Sequence, residues 1–268
     1  MRITFIGGGN MATALIAGLL RQGQAAELIS VVEHNAEVRA RLAADYQVKT
    51  YAELCAEAVI ADAVVLAVKP QQLKTVAQAL SPLLATQLVV SIAAGVRART
   101  LSAWLMGYTH VVRSMPNTPA MIGAGVTALY ALATVQPAQH QMAETILKSA
   151  GSVLWVDDEA LMDAVTAVSG SGPAYVFYFI EAMQQAAIEL GLSADAARQL
   201  ALQTMLGSAQ LAAGSSEDVA TLRARVTSPA GTTERAVQRM DEAGVKAAIV
   251  GAIHAAAERS IELGDALQ

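Results

Sequence analysis

Three consecutive glycines, Gly7, Gly8 and Gly9, stand between an apolar run and a helix-forming stretch in FIGGGNMATALIAGLL (residues 5–20). Glycine loses more conformational freedom on folding than any other residue, so three together need a reason. Gly7, Gly9 and Ala12 fit G-x-G-x-x-G/A, the turn that carries a dinucleotide pyrophosphate from a strand into a helix. The first small residue permits the tight turn, the second lets backbone approach the phosphates, and the third lets helix and strand pack closely. A helix starting at Asn10 and Met11 then offers free N–H groups and a partial positive charge. The alternative is a tight turn with no ligand; the pattern alone is weak, and its place between a strand and a helix is what gives it weight.

Glu33 lies 21 residues beyond Ala12, at the end of the next apolar segment. An acidic side chain there bonds ribose hydroxyls of NAD and repels the 2′-phosphate of NADP. The competing reading is a solvated charge at a strand end, and the neighbouring His34, when neutral, is a poor phosphate partner beside an arginine. Three further strand ends carry unusual residues: AVKPQ (67–71), SIAAG (91–95) and MPNTP (115–119). In open α/β sheets, ligands sit beyond the carboxyl ends of the strands. Ala67, Val68, Lys69 and Pro70 would border a bound dinucleotide, and Ala93, Ala94 and Gly95 would let a flat nicotinamide ring lie against backbone. Pro116 and Pro119 would stiffen a loop that presents Asn117. Ordinary turn chemistry explains each alone, but not their shared place at one edge of one sheet.

Two loops stand out in the second half, SGSGPAY (169–175) and TSPAGTT (227–233), each at the start of a helical pattern. Their free N–H groups and hydroxyls suit a carboxylate, although capping by Ser and Thr accounts for the same residues. No Ser-His-Asp arrangement, metal-ligand cluster or pair of catalytic carboxylates is legible, and His34, His110, His140 and His254 are scattered.

The elements that must position these residues alternate. Strands are expected at 2–6, 28–33, 63–68, 88–94, 110–115, 126–132 and 152–156, and helices at 10–22, 37–45, 71–84, 99–106 and 139–149. This order argues for an α/β domain of Rossmann type over 1–157, a mostly parallel doubly wound sheet with helices on both faces. From 158 to 268 only Ala- and Leu-rich helical patterns follow, an all-α domain slight enough to bury its apolar surface against another chain. The 268 residues are 54% hydrophobic with a net charge of −5, so the chain lacks the basic footprint of a nucleic-acid binder. One cysteine, Cys55, gives neither a disulfide framework nor metal spacing, which favours a cytoplasmic protein. The apolar run at 174–180 ends at Glu181, far short of a membrane span.

In this order and at these distances, GGGNMA, AVKPQ, AAG, MPNTP, SGSGPAY and TSPAGTT resemble the pyrroline-5-carboxylate reductases across nearly the whole chain. The resemblance implies reduction of 1-pyrroline-5-carboxylate to L-proline by NADPH or NADH. It also implies helical domains that interlock in a homodimer, each partner completing the other's active site, and dimers that commonly assemble into rings. On this likeness Asn117, Ser228, Gly231, Thr232 and Thr233 face the substrate. Backbone N–H groups grip its carboxylate, and the Thr233 hydroxyl contacts the ring nitrogen as the catalytic donor. Two departures stand out: Ala230 occupies a position where the family usually has Gly, and Glu33-His34 lacks the Asn/Ser-Arg pair of NADPH-preferring members. A β-hydroxyacid dehydrogenase shares the domain plan but places a catalytic lysine in the helical domain, and this chain has no Lys between Gly151 and Gly244. A non-catalytic NAD(H)-sensing dimer would be expected to alter the substrate loop, which here is nearly intact.

Overall fold

The computed structural model describes residues 1–267. Eight strands form one sheet: β1 (Ile3–Ile6), β2 (Ile29–Val32), β3 (Lys49–Tyr51), β4 (Ala63–Leu66), β5 (Leu88–Ser91), β6 (Val111–Met115), β7 (Gly125–Ala131) and β8 (Gly151–Trp155). Their spatial order is β3-β2-β1-β4-β5-β6-β7-β8. Every pair is parallel except β6 with β7. Residues 116–124 are too few for the crossover a parallel pair requires, so the chain turns back and β7 runs antiparallel. All four residues of β1 (ITFI) and of β4 (AVVL) are buried, as expected for central strands covered on both faces.

Alternation along those strands feeds two cores. Phe5 and Val65 point into one layer with Leu15, Ile16, Val31 and Ile146, while Ile6, Val64 and Leu66 join Leu73, Leu80 and Val89 in the other. The covering helices are α1 (Asn10–Arg21), α2 (Ala36–Tyr46), α3 (Pro70–Leu80), α4 (Ala98–Trp104) and α5 (Pro137–Lys148). Local chemistry fixes their starts. The Asn35 side chain accepts the N–H groups of Glu37 and Val38 at 2.9 and 3.1 Å, and prolines open α3 and α5. The helix expected over 71–84 stops at Leu80, and a 3-10 turn at Ser81–Leu83 containing Pro82 takes its place. Strand β3 was not foreseen; it is a three-residue edge strand defined by pairing with Ser30–Val32.

After β8 the chain is helical: α6 (Leu161–Val165), a π-turn (Thr166–Gly170), α7 (Gly172–Glu189), α8 (Ala194–Ala213), α9 (Val219–Arg225), α10 (Thr232–Glu242) and α11 (Val245–Ala266). The strand alternation ends near 157 as expected, but the compact first unit runs from Met1 to Ser171 and takes back the chain from Ala256 onward. Met162 and Ala167 are fully buried within it. The returning end of α11 is tied there by Ser260 Oγ donating to Asp163 Oδ1 at 2.6 Å and by an Arg97–Asp265 ion pair at 2.6 Å.

The second unit, Gly172–Ala255, has a different character. None of the eighteen residues of α7 is buried, and Phe177 and Tyr178 are 65% and 76% exposed. Leu190, Leu200, Leu211, Ile249 and Val250 are exposed as well. An apolar helical layer with so little covered within its own chain is built to be covered by another. Among the described residues, no helix is long and apolar enough to cross a membrane.

Candidate active site

Chain order reverses at β1, which has β2 on one side and β4 on the other, and ligands of open α/β sheets bind at such a point. Because β1, β4, β5 and β6 run parallel, the segments after them (7–12, 67–70, 92–95 and 116–119) emerge at one edge. The three glycines divide their labour there. Gly7 has φ +101° and donates its N–H to the Val32 carbonyl at 2.8 Å; a Cβ on it would lie 2.6 Å from the Ala67 carbonyl oxygen. Gly8 is buried, and its N–H donates to Glu33 Oε2 at 2.9 Å, so this amide is committed to the protein. A Cβ on Gly9 would meet nothing within 4 Å.

Gly9 is also the cap of α1, which has no side-chain cap and no acidic residue in its first turn. That helix end therefore presents unmatched N–H groups and a partial positive charge to open space, which fits a pyrophosphate. Ala12 is fully buried and so acts through helix–strand packing. Met11 is half-buried, and Asn10 lines a separate shallow cavity with Arg41 and Tyr46 on the flank of α1.

A cavity of about 440 Å³ opens beside this turn, lined by Gly7, Gly9, Glu33, His34, Ala67, Val68 and Lys69, all expected from the sequence. Ala52, Gln72, Thr75 and Val76 line it too and were not foreseen. The signal for three of them was available, since Gln72, Thr75 and Val76 are three and four residues apart on α3 and must share a face. Pro70 opens that helix. The Glu33 carboxylate sits at the cavity wall with its side chain only 11% exposed. Besides Gly8, it accepts the Asn35 N–H at 2.8 Å on Oε1, with His34 Nδ1 3.1 Å away. Arg39 donates to the Glu33 and His34 carbonyls at 2.7 and 2.8 Å. A larger hollow of about 700 Å³, lined by Gly18, Arg21, Gly123 and Lys148, contains none of the expected site residues.

After β5, Ala93 is buried and Ala94 exposed, while Gly95, at φ +77°, is covered by Leu263 and Leu267. Ala94 is thus the one of the three that is exposed at this edge. After β6, Asn117 Oδ1 accepts the Val126 N–H at 2.9 Å, so only the amide NH₂ remains for anything bound there. Gly170, in the π-turn, lies against the Met115 side chain, so SGSG packs on the start of MPNTP. Beneath these loops the buried Arg113 pairs with the part-buried Glu159 at 3.0 Å, and Glu159 also accepts the Ala98 N–H at 2.6 Å. Neither residue belongs to a motif that the sequence marks out.

The remaining expected residues, Ser228, Gly231, Thr232 and Thr233, belong to the second unit. Ser228–Gly231 is a β-turn closed by Gly231 N–H donating to the Ser228 carbonyl at 3.0 Å. Ala230 holds φ +58° in it, and its N–H donates to Glu234 Oε2 at 2.8 Å. Placing TSPAGTT ahead of the helical pattern leaves Thr233 as a candidate cap. The helix begins at Thr232 with Gly231 as its cap, and Thr233 is an exposed residue of the first turn.

Residues 159–263 match a family model described as pyrroline-5-carboxylate reductase dimerisation, and residues 2–95 one described as NADP oxidoreductase, coenzyme F420-dependent. A pyrroline-5-carboxylate reductase of Pseudomonas aeruginosa is 51% identical over 268 residues, covering 99% of this chain and 98% of that one. The solved structure of a pyrroline-5-carboxylate reductase from Coxiella burnetii superposes with a TM-score of 0.93 at 40% identity, covering 98% of both chains. The Plasmodium falciparum pyrroline carboxylate reductase, solved with NADP bound, gives 0.87 at 28% identity over 98% of each. With the glycine turn, the uncapped α1 start and the adjoining cavity all in one sheet edge, likeness over the full length settles the family: this chain is a member of the pyrroline-5-carboxylate reductases.

Proposed function

We propose that this protein reduces 1-pyrroline-5-carboxylate to L-proline with NADPH or NADH, as a cytoplasmic homodimer. The observation that carries this reading is near-complete, 51% identical coverage of the Pseudomonas aeruginosa reductase by a chain whose β1–α1 turn fits a pyrophosphate. When bound, the nicotinamide nucleotide supplies the hydride. Gly7 and Gly9 keep the turn low enough for phosphates, and the first N–H groups of α1 bond them. Ala94 leaves room for a flat ring, and the Asn117 NH₂ donates beside it.

Backbone N–H groups at Ser228 and Thr232 hold the substrate carboxylate, Gly231 between them leaves it room to approach, and the Thr233 hydroxyl donates to the lone pair that forms on the ring nitrogen as hydride adds to the imine carbon. A protonated cyclic imine is already a strong electrophile, so the protein must chiefly orient it. That demand suits a site with no histidine or lysine among its substrate contacts. The exposed apolar side chains of α7, Phe177 and Tyr178 among them, support burial against a second copy, and the single cysteine supports a reducing compartment. The test is turnover of 1-pyrroline-5-carboxylate by purified protein, following NADH and NADPH consumption separately and proline as product, with light scattering for the dimer. No turnover with either nucleotide would overturn the reading, and a fully active monomer would overturn the dimer.

A further inference from the structure

We propose that this protein selects NADH over NADPH, and that Glu33, pinned by the backbone of the glycine turn, is the residue that decides it. The proposal rests on the reading that the cavity beside Gly7 and Gly9 receives the nucleotide. In that arrangement the adenosine ribose lies at the end of β2, where an acidic residue bonds its hydroxyls. Glu33 stands at that strand end and lines the cavity.

Its carboxylate is held from two sides, Oε2 by Gly8 N–H at 2.9 Å and Oε1 by Asn35 N–H at 2.8 Å. Each oxygen of a carboxylate has two acceptor positions, so Oε2 keeps one for a ribose hydroxyl, while the second on Oε1 faces His34 Nδ1 at 3.1 Å, an exposed side chain that the other hydroxyl can displace. A 2′-phosphate would instead bring a second anion against a carboxylate that cannot swing aside. Turning Glu33 away would strand the N–H of Gly8, a buried residue, and leaving such a donor unmatched is costly.

No arginine is placed in the cavity to receive that phosphate. Arg39, the arginine nearest in sequence, turns Nη1 onto the Glu33 and His34 carbonyls and is not among the cavity's lining residues. Lys69 is the one lysine lining the cavity, and no arginine lines it. Selection for NADH sets this chain apart from the NADP named in the matched N-terminal family model and in the Plasmodium falciparum structure.

The experiment measures binding as well as turnover. The purified protein is titrated with NADH and with NADPH by nucleotide fluorescence, and with 5′-AMP and adenosine 2′,5′-bisphosphate as competitors. The expected result is NADH at least about tenfold tighter than NADPH, roughly 1.4 kcal/mol, and 5′-AMP the better competitor. Glu33→Gln removes the charge, and Glu33→Ser with His34→Arg adds a cation. Each should move the affinity ratio and the kcat/KM ratio towards NADPH, the double variant by about tenfold or more. Wild-type protein that binds NADPH as tightly as NADH overturns the proposal, whether or not the variants fold. So does a folded Glu33→Gln with an unchanged ratio. Failure to bind either nucleotide would instead remove the cavity assignment on which both readings stand.

Discussion

Replacing Gly7 and Gly9 separately by alanine should give opposite failures. At Gly7 a side chain faces both a φ of +101° and a carbonyl oxygen 2.6 Å from its Cβ. Left-handed backbone costs an L-residue about 1–2 kcal/mol, and relieving the overlap with the Ala67 backbone adds a comparable amount. A loss of about 3 kcal/mol is expected for Gly7→Ala, roughly 6–12 °C of melting temperature for a domain of this size. At Gly9, φ is −70° and the space is open, so alanine fits without strain. Its poorer quality as a helix cap and the reduced freedom of the unfolded chain act in opposite directions, each by about 0.5–1 kcal/mol, so Gly9→Ala should melt within a few degrees of wild type.

The added methyl nevertheless stands where phosphates would approach α1. NADH affinity should fall at least about tenfold, roughly 1.4 kcal/mol. The assay pairs thermal melting without nucleotide, since bound ligand would raise the midpoint by mass action, with a fluorescence titration of NADH. A Gly9→Ala protein that binds NADH normally would refute the placement of the phosphates. One that melts as early as Gly7→Ala would refute the division between structural and ligand-facing glycine.

Thr233→Val should cost about 10²-fold in kcat, roughly 2.7 kcal/mol, while Thr233→Ser keeps most activity. Because Gly231 is the cap of α10, the two variants should melt alike, and near-normal turnover in Thr233→Val would move the donor elsewhere. Ala230→Gly relieves a φ of +58° and should raise the melting temperature by up to about 1 kcal/mol of stability, or roughly 2–4 °C; a lower midpoint would show that the turn carries no such strain. Arg113→Met leaves the part-buried Glu159 without its ion-pair partner, and losing the partner of such a hydrogen-bonded charge costs about 1–3 kcal/mol. A melting shift of only a degree or two would mean that the pair holds neither α4 nor the turn into α6.

The sequence by itself determined what depends on neighbours along the chain. The short, continuously buried runs ITFI and AVVL, the cap at Asn35 and the prolines that open α3 and α5 are local signals, and they place the sheet's central strands and most covering helices. The motifs at strand ends were likewise legible, because a parallel sheet gathers its carboxyl ends at one edge whatever the loop details. Only the tertiary structure decided what depends on distant residues. Strand β3 exists because β2 offers it a ladder, and Arg113 finds Glu159 across forty-six positions. The end of α11 rejoins the first unit through partners at Asp163 and Arg97. The three glycines read alike in sequence, and their roles part only when Ala67 is set against Gly7, Glu33 beneath Gly8, and nothing beside Gly9. Spacing could nominate Glu33 as an acid near a ribose; that its carboxylate is held at both oxygens follows from two N–H groups, one of them twenty-five residues away, that folding brings to it.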